Sequence, residues 1–150
     1  MKEVTFALTS CGRPDLLEIT MDSFFENNTY NIIKYLIIED SNIEKINDKL
    51  KEKYKQYNIE WIDNTPKLGQ IKSIDKMYSK ITTEYIFHCE EDWLFIQKSF
   101  IEKSLHILEN NNKIINVWLR DLKDTNGHPT EYQTYNANGV DYKLLYCHHL

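Results

Sequence analysis

Residues 85–93 read YIFHCEEDW, and the reading of this stretch decides the fold. Tyr85, Ile86 and Phe87 form an apolar, aromatic run with the composition of a buried strand. The run passes directly into three successive carboxylates, Glu90, Glu91 and Asp92, and closes on Trp93. Adjacent carboxylates repel one another, and protonation of one or a bound divalent metal relieves the repulsion. Two readings of the cluster stand at this point: a solvated acidic turn, or a cation site at the carboxyl end of a strand.

Working outward towards the amino terminus, Ile71, Ile74, Tyr78 and Ile81 recur at helical steps and mark a helix. Thr82-Thr83-Glu84 ends that helix before the focal strand. Residues 64–69 (NTPKLG) are a loop, and residues 59–63 (IEWID) alternate as an edge-like strand. Residues 43–56 read as a charged helix with Ile43, Ile46 and Leu50 as its buried stripe. Before it, residues 35–38 (YLII) form a strand that ends in Glu39-Asp40-Ser41-Asn42. The chain opens with a strand over 4–8 (VTFAL), then the small residues Thr9-Ser10-Cys11-Gly12, then Arg13 and Pro14. Pro14 suits a first helical turn and Asp15 the positive helix end, with Leu17, Met21, Phe24 and Phe25 lining one face to about residue 26.

Towards the carboxyl terminus, Leu94-Phe95-Ile96 is an apolar patch, and Ser99 is placed to cap a helix carrying Ile101, Leu105 and Leu108. Residues 114–119 (IINVWL) predict a fifth strand, with Trp118 in the core, ending in Arg120-Asp121. Asn138-Gly139 between 132–135 and 142–146 predicts a β-hairpin. Strand and helix alternate, which implies α/β architecture: a mostly parallel sheet with helices on both faces and right-handed crossovers. Ligands of such sheets bind beyond the carboxyl ends of the strands. An order third, second, first, fourth sets the Thr9–Gly12 loop between two acidic strand ends.

Other nucleotide-site patterns are missing from the chain. Its first strand is followed by Gly12 alone, where a dinucleotide fingerprint needs G-x-G-x-x-G, and no P-loop pattern occurs. The order of the remaining parts resembles the glycosyltransferases of family 2 type with the GT-A fold, over residues 4–121. The resemblance rests on TFALTSCGRPDLLEITMDSF, IIEDSN, LGQIKSIDKMYS and YIFHCEEDW, the last in the place of the D-x-D motif. It implies transfer of a sugar from a nucleotide diphosphate sugar, with UDP-sugars favoured, to an acceptor hydroxyl with Mn2+ or Mg2+. By resemblance, Thr9, Ser10 and Arg13 border the nucleotide, Asp40 accepts a hydrogen bond from the base, and Lys72 lies near the phosphates. Glu90 and Asp92 match the acidic D-x-D positions, with Glu91 a further metal ligand. Glu stands where the family has Asp at the first of these positions, and Cys11 stands where it often has a larger residue.

An inverting displacement needs a carboxylate within reach of the acceptor hydroxyl. Asp121, beyond the predicted fifth strand, is the candidate, with Asp124, Glu131 and Asp141 behind it. Trp93 is the candidate to stack on an acceptor sugar, against the alternative that it packs in the core. His88-Cys89 and Cys147-His148-His149 hint at zinc, but neighbouring strand residues face opposite ways and no C-x-x-C occurs. His148 is the alternative third ligand to the catalytic metal.

The 150 residues read as a single nucleotide-sugar-binding domain whose acceptor part is short or missing. Hydrophobic content of 41% and charged content of 27% are those of a globular protein. A net charge of -5 argues against nucleic acid as a partner. No apolar run is long enough to span a bilayer, and three cysteines without an export signal suggest a reducing, cytoplasmic setting. The alternative to an active transferase is a domain that binds the nucleotide sugar without turnover, its acceptor site supplied by a partner. An oligomer is compatible with either.

Overall fold

β1, Val4–Ser10, is buried along its whole length, and the sheet grows outward from it. A computed structural model describes residues 1–146. Their contacts divide the chain into two compact units, Met1–Lys98 and Ser99–Leu150.

In the first unit β1 pairs in parallel with β2 (Lys34–Glu39) on one side and β4 (Tyr85–Glu90) on the other. β3 (Ile59–Asp63) pairs in parallel with β2. The order is therefore β3-β2-β1-β4, as the alternation and the acidic strand ends predict. Register sets Thr9 opposite Ile38 and Glu90, and Ser10 opposite Glu39, so these groups share one edge of the sheet.

The alternating side chains of β1 feed two layers. On one face Phe6 meets Phe24 of α1 (Pro14–Asn27), with ring centroids 4.2 Å apart. α1 begins at Pro14, and Leu17, Thr20, Met21, Ser23 and Phe24 form its buried face. Phe25 stacks on Tyr57 beyond α2 (Asp48–Lys53) at 3.6 Å. On the other face Ala7, Leu36, Ile38 and Ile62 pack with Met77 of α3 (Gln70–Tyr78), and Ile81 packs against them.

Several elements differ from the pattern reading. The helix predicted over 43–56 is reduced to α2, because Asn42 and Lys45 take positive φ (61° and 57°) and break the helical run. Ile43 is left exposed, and Leu50 is the buried residue of α2. α3 buries Ser73 and Met77 in place of the predicted stripe, leaving Ile71 exposed. β4, read as a buried strand, is the outer strand of this sheet, with Cys89 buried and Ile86 exposed.

The second unit carries α4 (Phe100–Asn110) and an antiparallel pair, β5 (Tyr135–Ala137) and β6 (Val140–Tyr142). The hairpin forms where predicted: Asn138 and Gly139 both have positive φ (51° and 84°), as a two-residue type I′ turn requires. Tyr135 and Tyr142 stack across it at 5.5 Å. Residues 114–119, predicted as a fifth strand, are not a strand. Ile114 and Val117, three residues apart, instead face a cluster of Ile107, Ala137 and Tyr142. A strand would send these two to opposite faces. Trp118, expected in the core, is exposed and lies edge-on to His128 at 5.2 Å. Among the described residues no helix is long and apolar enough to cross a membrane.

Candidate functional site

A cleft of about 370 Å³ opens in the first unit at the carboxyl edge of the sheet. Thr9 and Ser10 of β1, Asp40 after β2, Gln70 and Ser73 of α3, and Glu90 and Glu91 from β4 and its end line it, with Cys11, Arg13, Ile38 and Lys67. Parallel strands bring these groups together because every strand ends on the same side.

Two buried acids at the end of β2 hold the neighbouring loops. Glu39 Oε1 accepts from Gly12 N and Ser41 N, each at 2.9 Å. Its Oε2 accepts from Ser10 Oγ at 2.8 Å and Asn47 Nδ2 at 3.1 Å. Burial pushes this carboxyl up, and the hydrogen bonds from Ser41, Ser10 and Asn47 outweigh it, so its pKa lies below the ordinary value. Asp40 Oδ1 accepts from Leu68 N at 2.7 Å and Asn64 Nδ2 at 2.8 Å, and Oδ2 accepts from Gly69 N at 2.7 Å. Here too burial raises the pKa, and bonds from Leu68, Asn64 and Gly69 lower it further than burial raises it. Asp40 thereby shapes the loop that leads into α3.

The acidic run at the end of β4 separates into three different environments. Glu90 Oε1 accepts from Gln70 Nε2 at 2.7 Å at the cleft wall. Glu91 is buried, and its Oε1 accepts from Arg13 Nε at 2.8 Å and Cys11 N at 3.2 Å, with Arg13 Nη2 ion-paired to it at 2.8 Å. Asp92 is exposed, with Oδ2 3.3 Å from Arg13 Nη2. Pairing first with Glu91 and then with Asp92 raises the Arg13 pKa above its ordinary value. Thr20 Oγ1 donates to the carbonyls of Glu91 and Trp93, at 2.7 and 2.8 Å, fastening this turn to α1.

Thr9 Oγ1 is buried on the cleft wall and has no hydrogen-bond partner among the described residues. A buried hydroxyl left unpaired is a rare and costly arrangement. The structure thus collects Thr9, Ser10, Arg13, Asp40, Glu90 and Glu91 around one cleft. Lys72 is exposed on α3 and is not among the lining residues, while its neighbours Lys67, Gln70 and Ser73 are. Trp93 is 37% exposed and lies 6.0 Å from the Phe95 ring. In the second unit, Asp121 opens a turn, its Oδ1 accepting from Lys123 N at 2.8 Å. His88 Nδ1 lies 2.6 Å from Tyr78 Oη, whereas Cys89 beside it is buried. The Cys147-His148-His149 run lies outside the described residues.

Among the described residues, no three His, Cys, Asp or Glu side chains are grouped so as to hold a metal by themselves. Glu90 and Asp92 are hard oxygen donors with one protein hydrogen bond apiece. Such donors suit a hard divalent cation in chemical type.

The sequence places Glu39 at the strand end without assigning it a role, and gives no role to Asn64 or Gln70. Glu39 carried a signal, since two acids in succession at a strand end cannot both face the same way. Asn64 and Gln70 carried none, because their roles depend on the distance between β3, α3 and β4.

Sheet order, crossovers and the cleft at the carboxyl edge define a GT-A-like α/β fold. The structure is similar to the mannosyltransferase PcManGT from Pyrobaculum calidifontis in complex with GDP-Man and Mn2+, with a TM-score of 0.54 and 14% identity over 62% of this chain. It is also similar to two crystal structures of S. aureus TarS. The one of residues 1–349 gives a TM-score of 0.60 and 11% identity over 73% of this chain, and the other 0.62 and 8% over 81%. The chain spans 28%, 33% and 24% of these three structures respectively. No protein-family model and no curated protein matches it.

Proposed function

We propose that this chain is a glycosyltransferase domain that binds a nucleotide diphosphate sugar in the cleft and passes the sugar to an acceptor hydroxyl. The observation that carries the reading is the unpaired Thr9 hydroxyl, buried in a cleft flanked by acidic strand ends. A neutral donor/acceptor on one wall suits a base or ribose. Glu90 on the cleft wall, with the exposed Asp92 two residues on, would hold a divalent cation beside the diphosphate. Bound there, Mn2+ or Mg2+ would neutralise charge developing on the leaving diphosphate. Ser10 holds Glu39, and Asp40 holds the Leu68–Gly69 turn, so both shape the nucleotide pocket. Lys67 at the wall, with Lys72 one turn beyond, supplies positive charge for phosphates. A UDP-sugar is the favoured donor, and the GDP-Man of the similar archaeal structure makes a GDP-sugar the competing one. An inverting hexosyl transfer is the expected course, with Trp93 against the acceptor.

A second reading has the chain bind the nucleotide sugar without turning it over. Radiolabelled UDP-sugars and GDP-sugars, incubated with Mn2+ and hydroxyl acceptors, decide between the two. Sugar transfer supports the first reading, saturable binding without transfer supports the second, and no binding in Mn2+ removes both.

A further inference from the structure

Glu91 differs from the acids on either side of it. It is 4% exposed, whereas the Asp92 side chain is 42% exposed. A buried carboxylate is tolerated when it is paired and hydrogen-bonded, and Glu91 is both. Arg13 Nε donates to it at 2.8 Å with Nη2 ion-paired at 2.8 Å, and Cys11 gives a backbone N–H at 3.2 Å. Its main chain is fastened as well, through its N–H to Thr9 O at 3.1 Å and its carbonyl to Thr20 Oγ1. Each of these contacts joins the end of β4 to β1 or to the start of α1. Arg13 does not stop at Glu91: the same Nη2 lies 3.3 Å from Asp92 Oδ2. Glu91 therefore fixes the guanidinium, and the guanidinium fixes where the Asp92 carboxylate stands.

Resting on the reading of the cleft given above, we propose that Glu91 is a positioning residue. Through Arg13 it aims Asp92, and through its own backbone it holds Glu90, so that both carboxylates meet a divalent cation bound with a nucleoside diphosphate. Glu91, whose Oε1 takes the N–H groups of Arg13 Nε and Cys11, acts through these contacts rather than as a ligand to that cation. Nor is Arg13 primarily a phosphate ligand: it is the strut between the two acids. Three consecutive carboxylates then cease to be a problem of repulsion, because the middle one is neutralised from within.

The test uses Glu91→Gln, Arg13→Met, the double variant and Arg13→Lys, with GDP and UDP titrated by calorimetry in Mn2+ and in EDTA, and thermal melts alongside. Each of Glu91→Gln and Arg13→Met should weaken the Mn2+-dependent part of binding by about ten-fold or more, as loss of a group that orients a metal ligand does. Binding in EDTA should fall far less than the Mn2+-dependent part, and the double variant should be no worse than the weaker single one. Arg13→Lys, which keeps the charge but not the fork, should recover part of the loss. If Glu91→Gln does not fold, the two Arg13 variants carry the test, because that side chain is 48% exposed. Equal weakening with and without Mn2+ would overturn the proposal, and so would undiminished Mn2+ dependence. Both outcomes leave the reading of the cleft standing. A wild-type chain that binds neither nucleotide in Mn2+ overturns that reading and this one together.

Discussion

Asp40 and Asn64, one at the end of β2 and the other just past β3, are both buried and share a hydrogen bond of 2.8 Å. Asn64 passes the connection on, its Nδ2 also donating to Ser73 Oγ at 2.9 Å and its Oδ1 accepting from Lys76 Nζ at 2.7 Å. The end of β2 is in this way tied to α3 through side chains, in addition to the bonds that Asp40 takes from Leu68 N and Gly69 N.

Asp40→Asn should therefore destabilise the fold as well as the cleft. An amide at this site turns an acceptor into a donor against the N–H groups of Leu68, Gly69 or Asn64. The expected loss is about 1.5–3 kcal/mol, read as a lower urea midpoint, with weaker nucleotide binding in Mn2+ and in EDTA alike. Asp92→Asn, at an exposed position, should melt as wild type and lose the metal-dependent part of binding. Identical melting of the two variants would show that the Asp40 bonds contribute nothing to stability.

Acid should unfold the first unit through the same end of β2. The folded-state pKa values of Glu39 and Asp40 both lie below their ordinary values of 4.5 and 3.8. The unfolded chain then binds protons that the folded chain does not, so stability is fully present above the ordinary range and falls as pH drops through the folded-state values. Urea midpoints should be flat near neutrality and decline below pH 4.5. Glu39→Gln should make that decline shallower, and an unaltered slope would assign the acid sensitivity to other carboxylates.

Gly12 has φ of +74°, and a Cβ there would stand 3.3 Å from Ser41 Cβ. Gly12→Ala should cost about 1–3 kcal/mol from the backbone conformation alone. It should also loosen the Gly12 N bond to Glu39, because the loop must shift to make room. Amide exchange measured over residues 9–14 should rise in the variant; unchanged protection would mean that the loop accepts a side chain without moving.

Phe24 is fully buried and meets the rings of Phe6, Phe25, Phe87 and Phe95. Phe24→Ala should cost about 3–5 kcal/mol in equilibrium unfolding, against little change for Ile19→Ala on the exposed side of the same helix. Similar losses at both positions would contradict the packing of α1 described above.

The four parallel strands and their order were legible because each apolar run ended in residues that only a shared edge would explain. The short hairpin was legible from Asn138-Gly139, where local turn chemistry suffices. Residues 114–119 misled because β-branched and aromatic residues satisfy a strand pattern even where the chain packs at every third residue. The grouping of Thr9, Ser10, Asp40 and Glu90 could be read from strand ends. What Asp40 and Glu91 touch could not, since their partners Leu68, Gly69 and Arg13 are brought to them by loop conformations that no periodicity encodes.

The loop between β1 and α1 is gripped from both sides, by Glu39 at Gly12 and by Glu91 at Cys11 and Arg13. Four consecutive positions, 10–13, are thus answerable to two acids that lie far away in sequence. In a selection experiment, changes at those positions should survive mainly in company with compensating changes at 39 or 91. On the opposite wall Gln70 is tied to Glu90 by one hydrogen bond, and Lys67 carries no such obligation and can drift alone. Inheritance of the cleft is consequently uneven, with one wall locked as a block and the other left open to step-by-step adaptation to a new ligand.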